Sequence, residues 1–453
     1  MHLYIIVEIS SREFDAKTFL ACCAAVEGFD VVIGEENMMR RLAVLEPPGI
    51  YYDKSLHTQY PALHRHLKRL GHRIIVNDDE GFIFNTKSYR NHSLTQSACD
   101  GVDLHLTWGQ HQQTVVEDYL PALGDKSVPV GNVRMDLLRK ELRPFLQPQA
   151  EALKEKWGRI VLINSRASVV NHTDGAAHIE RLMQSGESGP SDLLRRYVAW
   201  DSEVFRSFQD MIPIVCERFP ERSFIIRPHP AEDMRVWEEI DEKIENAHLV
   251  REGNVQDWIL ASEMVIVQHG CSTAAETLLL DVPCVSYLPV KDIMIEHGLA
   301  DDVAYIVRNA EEVCQCLAGD KTAEMMALRP QWYEAAKEYI ESVDGPLTAT
   351  ATISQFKTIT KIKRDPEVVY QFKQRLNGII RSWNRYAKYW IRQVIGLTKP
   401  INPHAKWKPL TLEDFQAHVE RFSFFDSRFL ELEVTQPYID CFRVRMPSTN
   451  SDD

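Results

Sequence analysis

Short apolar runs alternate along this chain with stretches of helical spacing. Residues 3–9 form an apolar run, and residues 17–26 place hydrophobic side chains at helical intervals. Residues 28–34 read as a second strand closed by Gly34, and 49–52 as a third, followed by a helix over 60–70. A fourth strand, 71–76, stops abruptly at Asn77-Asp78-Asp79-Glu80-Gly81, and a fifth spans 102–108, with Gly109 and Gln110 opening another helix. After an interruption at 143–158 the pattern restarts at 159–164 and continues with strands at 223–227, 247–250, 264–267 and 283–287. Such alternation predicts α/β architecture with parallel, doubly wound sheets. The expected organisation is two Rossmann-like domains, 1–150 and 158–355, facing a cleft, with a helical C-terminal extension over 361–453. Residues 166–200 read as an insertion or mobile loop, and His64, His66 and His72 as helix-surface and loop residues.

Composition narrows the class. Hydrophobic residues at 44% and charged residues at 26% are ordinary for a globular protein, and no apolar run approaches a membrane span. The first residues carry no basic region and no small-residue cleavage site, so a cytoplasmic location is expected. Nine cysteines, an odd count without paired metal-ligand spacing, read as reduced thiols, and no metal or cofactor is expected. A net charge of −13 argues against nucleic acid as a partner. The charge is uneven: residues 361–399 hold ten Lys or Arg against Asp365 and Glu367, a net +8 that leaves −21 elsewhere.

Three motifs follow strands, where open α/β sheets place ligands. In Arg227-Pro228-His229-Pro230, two prolines stop the strand and hold a histidine at its end. That histidine can donate to a phosphate, and Arg227 offers a charged fork. The alternative is a turn with a surface His and a salt-bridged Arg. In Gln268-His269-Gly270-Cys271-Ser272-Thr273, Gly270 permits close approach while Ser272 and Thr273 open a helix, either as an anion site or as an ordinary cap. Glu276, one turn on, reaches a ribose hydroxyl or is a solvated helix residue. In Asp78-Asp79-Glu80-Gly81, mutually repelling carboxylates point to one held partly protonated and suited to act as general base. A solvated acidic turn and a metal site compete with that reading. Asn132 and Arg134, and further on Asn164, Asn171 and His172, are weaker candidates for lining the cleft.

With these residues quoted, the chain resembles bacterial GT-B transferases that use CMP-activated acid sugars, the sialyltransferases and capsule Kdo transferases. The resemblance rests on Asp79-Glu80-Gly81, His229-Pro230 and Ser272-Thr273. More closely, residues 131–136, Ile163-Asn164 with Asn171-His172, and Arg227-Pro228-His229-Pro230 resemble the bacterial surface carbohydrate biosynthesis family. The chain departs in reading Asp-Glu-Gly for Glu-Asp-Gly, and Asn164-Ser165-Arg166 for Asn-Thr-Asn. The resemblance implies Glu80 as base, His229 assisting departure of CMP, and Ser272 with Thr273 holding its phosphate. It thus implies inverting, metal-independent transfer of a Kdo or nonulosonic acid from a CMP-sugar to a glycan or lipid-linked glycan acceptor. A UDP-sugar 2-epimerase, a CDP-glycerol phosphotransferase and a non-catalytic assembly protein binding glycan or membrane are the rival readings.

The tail carries a helix-period stripe from Val369 to Val394, accompanied by Arg375, Arg381, Arg385, Lys388 and Arg392 and including Trp383 and Trp390. A basic amphipathic helix suits an anionic membrane surface, giving peripheral attachment, or packs its stripe on the protein with its charges solvated.

Overall fold

The structure, a computed structural model, describes residues 1–79, 81, 86–185, 191–292, 299–361 and 407–447. They fall into two compact units, the first within 1–81, 89–136 and 344–453, the second within 82–88 and 137–343. In chain order the strands are β1 (His2–Val7), β2 (Asp30–Glu35), β3 (Ile50–Asp53), β4 (Arg73–Asn77), β5 (Leu104–Thr107) and β6 (Ser127–Pro129). The second unit has β7 (Ile160–Asn164), β8 (Ser223–Arg227), β9 (Ala247–Leu249), β10 (Ser262–Gln268), β11 (Cys284–Tyr287) and β12 (Tyr305–Val307). The chain ends with β13 (Glu433–Tyr438) and β14 (Cys441–Arg445).

The second sheet runs β12-β11-β10-β7-β8-β9 and is wholly parallel. Its strands are near-continuous apolar runs because helices cover both faces. Ile160, Val161, Leu162 and Ile163 of β7 are fully buried, as are Phe224, Ile225 and Ile226 of β8. In the first sheet, β2-β1-β3-β4-β5-β6 are parallel, and a hairpin of β13 and β14 is added beside β2.

The C-terminal extension, expected to be helical, holds this hairpin besides the helix Leu412–Glu420. β14 pairs antiparallel with β2, Val444 opposite Val31 and Phe442 opposite Ile33. Phe442 and Val444 are buried, and the Phe442 ring stacks on Phe415 at 4.3 Å. A Cβ on Gly34 would lie 2.4 Å from the Asp440 carbonyl oxygen, so this glycine admits the added strand. Residues 369–394, the basic stripe, lie outside the described residues.

The domain boundary also moves. Asp136, fully buried, accepts the backbone amides of Thr348 and Ala349, each at 2.8 Å, and so caps the helix Thr348–Thr360. Phe356 of that helix packs on Phe29 and Tyr52. Residues 344–355 therefore join the first unit instead of ending the second. Within 166–200, taken above for a loop, Ala176–Ser185 and the start of Ser191–Arg218 are helical. The longer helix buries Trp200, Val204, Phe208, Ile212 and Val215, a helical face. His64 and His72 are buried too: His64 Nε2 lies 2.7 Å from Asp53 Oδ2, and His72 Nδ1 accepts from the Gly49 amide.

Replacing Asp136 by Ala leaves two amides of the buried cap without an acceptor, an expected loss of about 1–3 kcal/mol. Urea unfolding reads it; an unchanged midpoint contradicts the capping role.

Candidate functional site

In the second unit the chain leaves β7 for β8 and β9 on one side, then returns for β10, β11 and β12 on the other. This is the 3-2-1-4-5-6 Rossmann order, whose crevice opens beyond the carboxyl ends where the order reverses. Three loops leave that edge: 165–175 after β7, 228–234 after β8 and 269–272 after β10.

Glu232, with no exposed surface, joins the first two. It accepts from the His229 amide at 3.0 Å, the Ala167 amide at 3.1 Å, Asn171 Nδ2 at 3.3 Å and Trp237 Nε1 at 3.2 Å. Ser165 Oγ lies 2.9 Å from both carboxylate oxygens and 3.1 Å from Gln268 Oε1, reaching the third loop. Burial pushes the Glu232 pKa up, and the hydrogen bonds from His229, Ser165, Asn171 and Trp237 oppose that shift. The loops are further zipped by an antiparallel bridge between His172 and Glu232, with Thr173 donating to Ala231 and Asp233 to Asn171. Asn171 and His172 thus sit beside the histidine loop.

His229 is exposed between its prolines, and its Nδ1 accepts from the Ala231 amide at 3.2 Å. A neutral imidazole accepting at Nδ1 carries its proton at Nε2. The ring therefore offers an N–H donor from a loop held at both ends. Pro228 and Pro230 block strand pairing on either side, which keeps the loop free of the sheet.

Arg227 departs from its expected role. Its guanidinium donates to the carbonyls of Glu252 and Gly253 at 2.5 and 2.9 Å and lies 5.6 Å over the Trp258 ring. Burial lowers its pKa to about 10. It tethers the loop after β9 and is not a fork beside His229. Glu276 departs similarly: 2% exposed, it accepts from Gln256 Nε2 at 3.3 Å and faces the interior instead of a ribose.

After β10, Gly270 has φ +69°, and the Arg166 guanidinium lies 3.2–3.5 Å from where a Cβ would be. The positive φ favours glycine, and a side chain there would crowd the Arg166 guanidinium. The Gly270 amide donates to Asp301 Oδ1 at 2.9 Å, which also accepts from Ser286 Oγ at 2.9 Å. Burial raises the Asp301 pKa, but His269, the Gly270 amide and Ser286 outweigh it and hold it at about 2. His269 is buried, its Nδ1 3.6 Å from Asp301 Oδ2 and its ring edge-on to Trp200. Thr273 Oγ1 accepts from Asn164 Nδ2 at 3.1 Å, joining β7 to the helix Thr273–Leu279, while Ser272 makes no side-chain cap.

In the first unit, Asp78 and Asp79 follow β4, and Glu80 lies outside the described residues. Asp78 is a brace. Its carboxylate accepts from the Leu56 amide, Tyr89 Oη, His105 Nε2 and Gln112 Nε2 at 2.9–3.3 Å. Its carbonyl accepts from Trp108 Nε1. A Cβ on Gly81 would lie 2.1 Å from Trp108 Cδ1, so the indole requires this glycine. Asp79 Oδ2 lies 3.2 Å from Lys17 Nζ, and its carbonyl accepts from Arg134 Nη1 at 3.3 Å. Burial, then Glu13, push its pKa up to about 7, against the pull of Lys17, Arg12 and Arg134. A carboxyl poised to hold its proton was expected here from repulsion along the Asp-Asp-Glu run; among the described residues burial, and then Glu13, raise its pKa. Asn132 donates to Asn77 Oδ1 at 2.7 Å and accepts the Arg134 amide, bracing the same strand end. Among the described residues no group of His, Cys, Asp or Glu has the makings of a metal site.

Sequence reasoning gave no role to Ser165, Glu232, Gln268, His269 or Asp301, although Ser165, Gln268 and His269 stood in the motifs it quoted. The first four flank residues it singled out; Asp301, some thirty residues downstream, carried no local signal.

No protein-family model matches the chain. No curated protein matches it in sequence. Solved structures are similar in fold. The wall teichoic acid polymerase TagF, soaked with CDPG, has a TM-score of 0.50 at 8% identity, covering 80% of this chain and 88% of that one. The UDP-GlcNAc 2-epimerase of Neisseria meningitidis bound to UDP-GlcNAc has a TM-score of 0.46 at 14% identity, covering 80% and 100%. Anabaena HepE in complex with UDP and glucose has a TM-score of 0.43 at 11% identity, again 80% and 100%. The likeness to TagF and the two Rossmann-like sheets place the chain in the α/β, GT-B fold class. No described helix is long and apolar enough to cross a membrane.

Replacing Glu232 by Ala strands donors from both loops, an expected loss of at least about 1–3 kcal/mol. It should also release His229 from its fixed tautomer, which imidazole nitrogen shifts report. A variant with unaltered stability and an unaltered His229 spectrum contradicts this arrangement.

Proposed function

We propose that this protein transfers an acid sugar, of Kdo or nonulosonic acid type, from a CMP-activated donor to a hydroxyl of a bacterial surface glycan. The observation that carries the reading is His229, an exposed N–H donor on a doubly held loop at the order reversal of a Rossmann sheet. Such a donor suits a phosphate leaving with negative charge. Gly270, Ser272 and Thr273 leave the same edge of the sheet and hold the CMP phosphate; the restriction to CMP rests on the resemblance in sequence.

In the reaction the acceptor oxygen forms a bond to the anomeric carbon. The bond from that carbon to the phosphate oxygen breaks, its electron pair leaving with CMP. The hydroxyl proton passes to a carboxylate of the Asp79-Glu80 pair, and His229 donates to the departing phosphate. Attack opposite the leaving group inverts the anomeric carbon, and no metal takes part. The enzyme works at the inner face of the cytoplasmic membrane, its basic residues between 369 and 394 meeting anionic lipid and its acceptor lipid-linked.

Separate Glu80→Gln and Asp79→Asn variants test this. At least one loses transfer from a CMP-sugar by about 100-fold or more, the share of a general base, while calorimetry shows CMP binding unchanged. Product that takes up label from heavy water, or turnover of CDP-glycerol, moves the assignment to an epimerase or a phosphotransferase. CMP binding with full transfer in both variants removes the base.

A further inference from the structure

The helix Ser10–Val26 buries a charge pair that the reaction above does not use. It is otherwise an apolar helix, with Phe14, Phe19, Leu20, Ala21, Ala24 and Ala25 in the core. Yet Glu13 has no exposed surface and Lys17 is 3% exposed. Burying two charges at i and i+4 in such a helix costs far more than apolar residues there would. Lys17 Nζ bridges Glu13 Oε2 at 2.9 Å and Asp79 Oδ2 at 3.2 Å. Glu13 Oε2 also accepts from the Glu8 amide at 3.0 Å, and its Oε1 accepts from the Ile9 amide at 3.3 Å and Arg12 at 3.1 Å. The ammonium is thus fixed by an immobile carboxylate and directed at the strand end that carries Asp79-Glu80-Gly81.

We propose that Lys17, locked by Glu13, is a positioning residue that holds the Asp79 carboxylate and governs its uptake of the acceptor proton. The inference rests on the transferase reading and deepens it, naming Asp79 as the proton's destination. Groups facing Asp79 are Arg12, Glu13 and Lys17 from the helix, Arg134 from the segment after β6, and Tyr52 from β3. Glu13 opposes ionisation of Asp79, while Lys17, Arg12 and Arg134 favour it. Lys17 is itself held charged by Asp79 and Glu13 against burial. The pair therefore balances the carboxyl between its two states without adding a group that touches substrate.

The test is a carboxyl-carbon NMR titration of the full chain labelled at aspartate, with Asp79→Asn identifying the resonance. Wild-type Asp79 should titrate near neutrality. Lys17→Met should raise its midpoint and Glu13→Gln should lower it, each by about one to three pH units. Lys17→Arg, which keeps the cation, should stay close to wild type, and serves if the methionine variant does not fold. Release of CMP from CMP-Kdo should show an acid limb that moves with the same midpoint. An Asp79 that titrates as an ordinary carboxylate, or that ignores both neutralising variants, overturns the proposal. A normal titration in a protein that turns over no CMP-sugar counts instead against the transferase reading.

Discussion

Parallel pairing is the constraint on which the rest of this structure depends. When every strand of a sheet runs the same way, all the loops that leave carboxyl ends share one edge, and order reversal opens a crevice there. In the second sheet that edge gathers the ends of β7 and β8, far apart in sequence, around one buried carboxylate, and Ser165 links them on to Gln268 at the end of β10. Glu232 can be buried because Ser165, Asn171, Trp237 and two backbone amides satisfy it. The same bonds set the direction of His229. Fold, loop packing and the proton position on one imidazole are thus steps of one argument.

The first sheet meets the constraint differently. Its β4 is followed by two carboxylates whose environments diverge. Asp78 is consumed by four donors and serves the fold, holding Trp108 and Tyr89 in place. Asp79, one residue on, faces a buried lysine and a buried glutamate, which leave its proton finely balanced. Adjacent in sequence, the two carboxylates meet different partners: the Leu56 amide and three side chains for Asp78, and the Lys17 ammonium for Asp79.

Most strands of both sheets were legible as apolar runs, since burial on two faces writes itself as uninterrupted hydrophobicity. The hairpin of β13 and β14 was legible in principle: Phe442 and Val444 alternate with Arg443 and Arg445, the period of a half-buried edge strand. It was overlooked because the basic stripe before it reads as a helix. The long helix Ser191–Arg218 carried its periodicity as well, hidden by the Gly- and Ser-rich residues ahead of it. Side-chain direction was not legible. Nothing in the order of residues says that Arg227 turns to the Glu252 carbonyl, that Glu276 faces Gln256, or that burial and then Glu13 raise the proton affinity of Asp79. Those outcomes depend on partners brought in from other strands.

The central claim is that the edge around His229 binds a nucleotide phosphate, and thermal unfolding in the presence of CMP, CDP, UDP or GDP tests it most directly. A ligand that binds only the folded chain raises the midpoint with its concentration. CMP should raise it most, and His229→Ala should shrink that rise while leaving the ligand-free midpoint in place. No rise with any nucleotide, or an equal rise in the variant, would contradict the account.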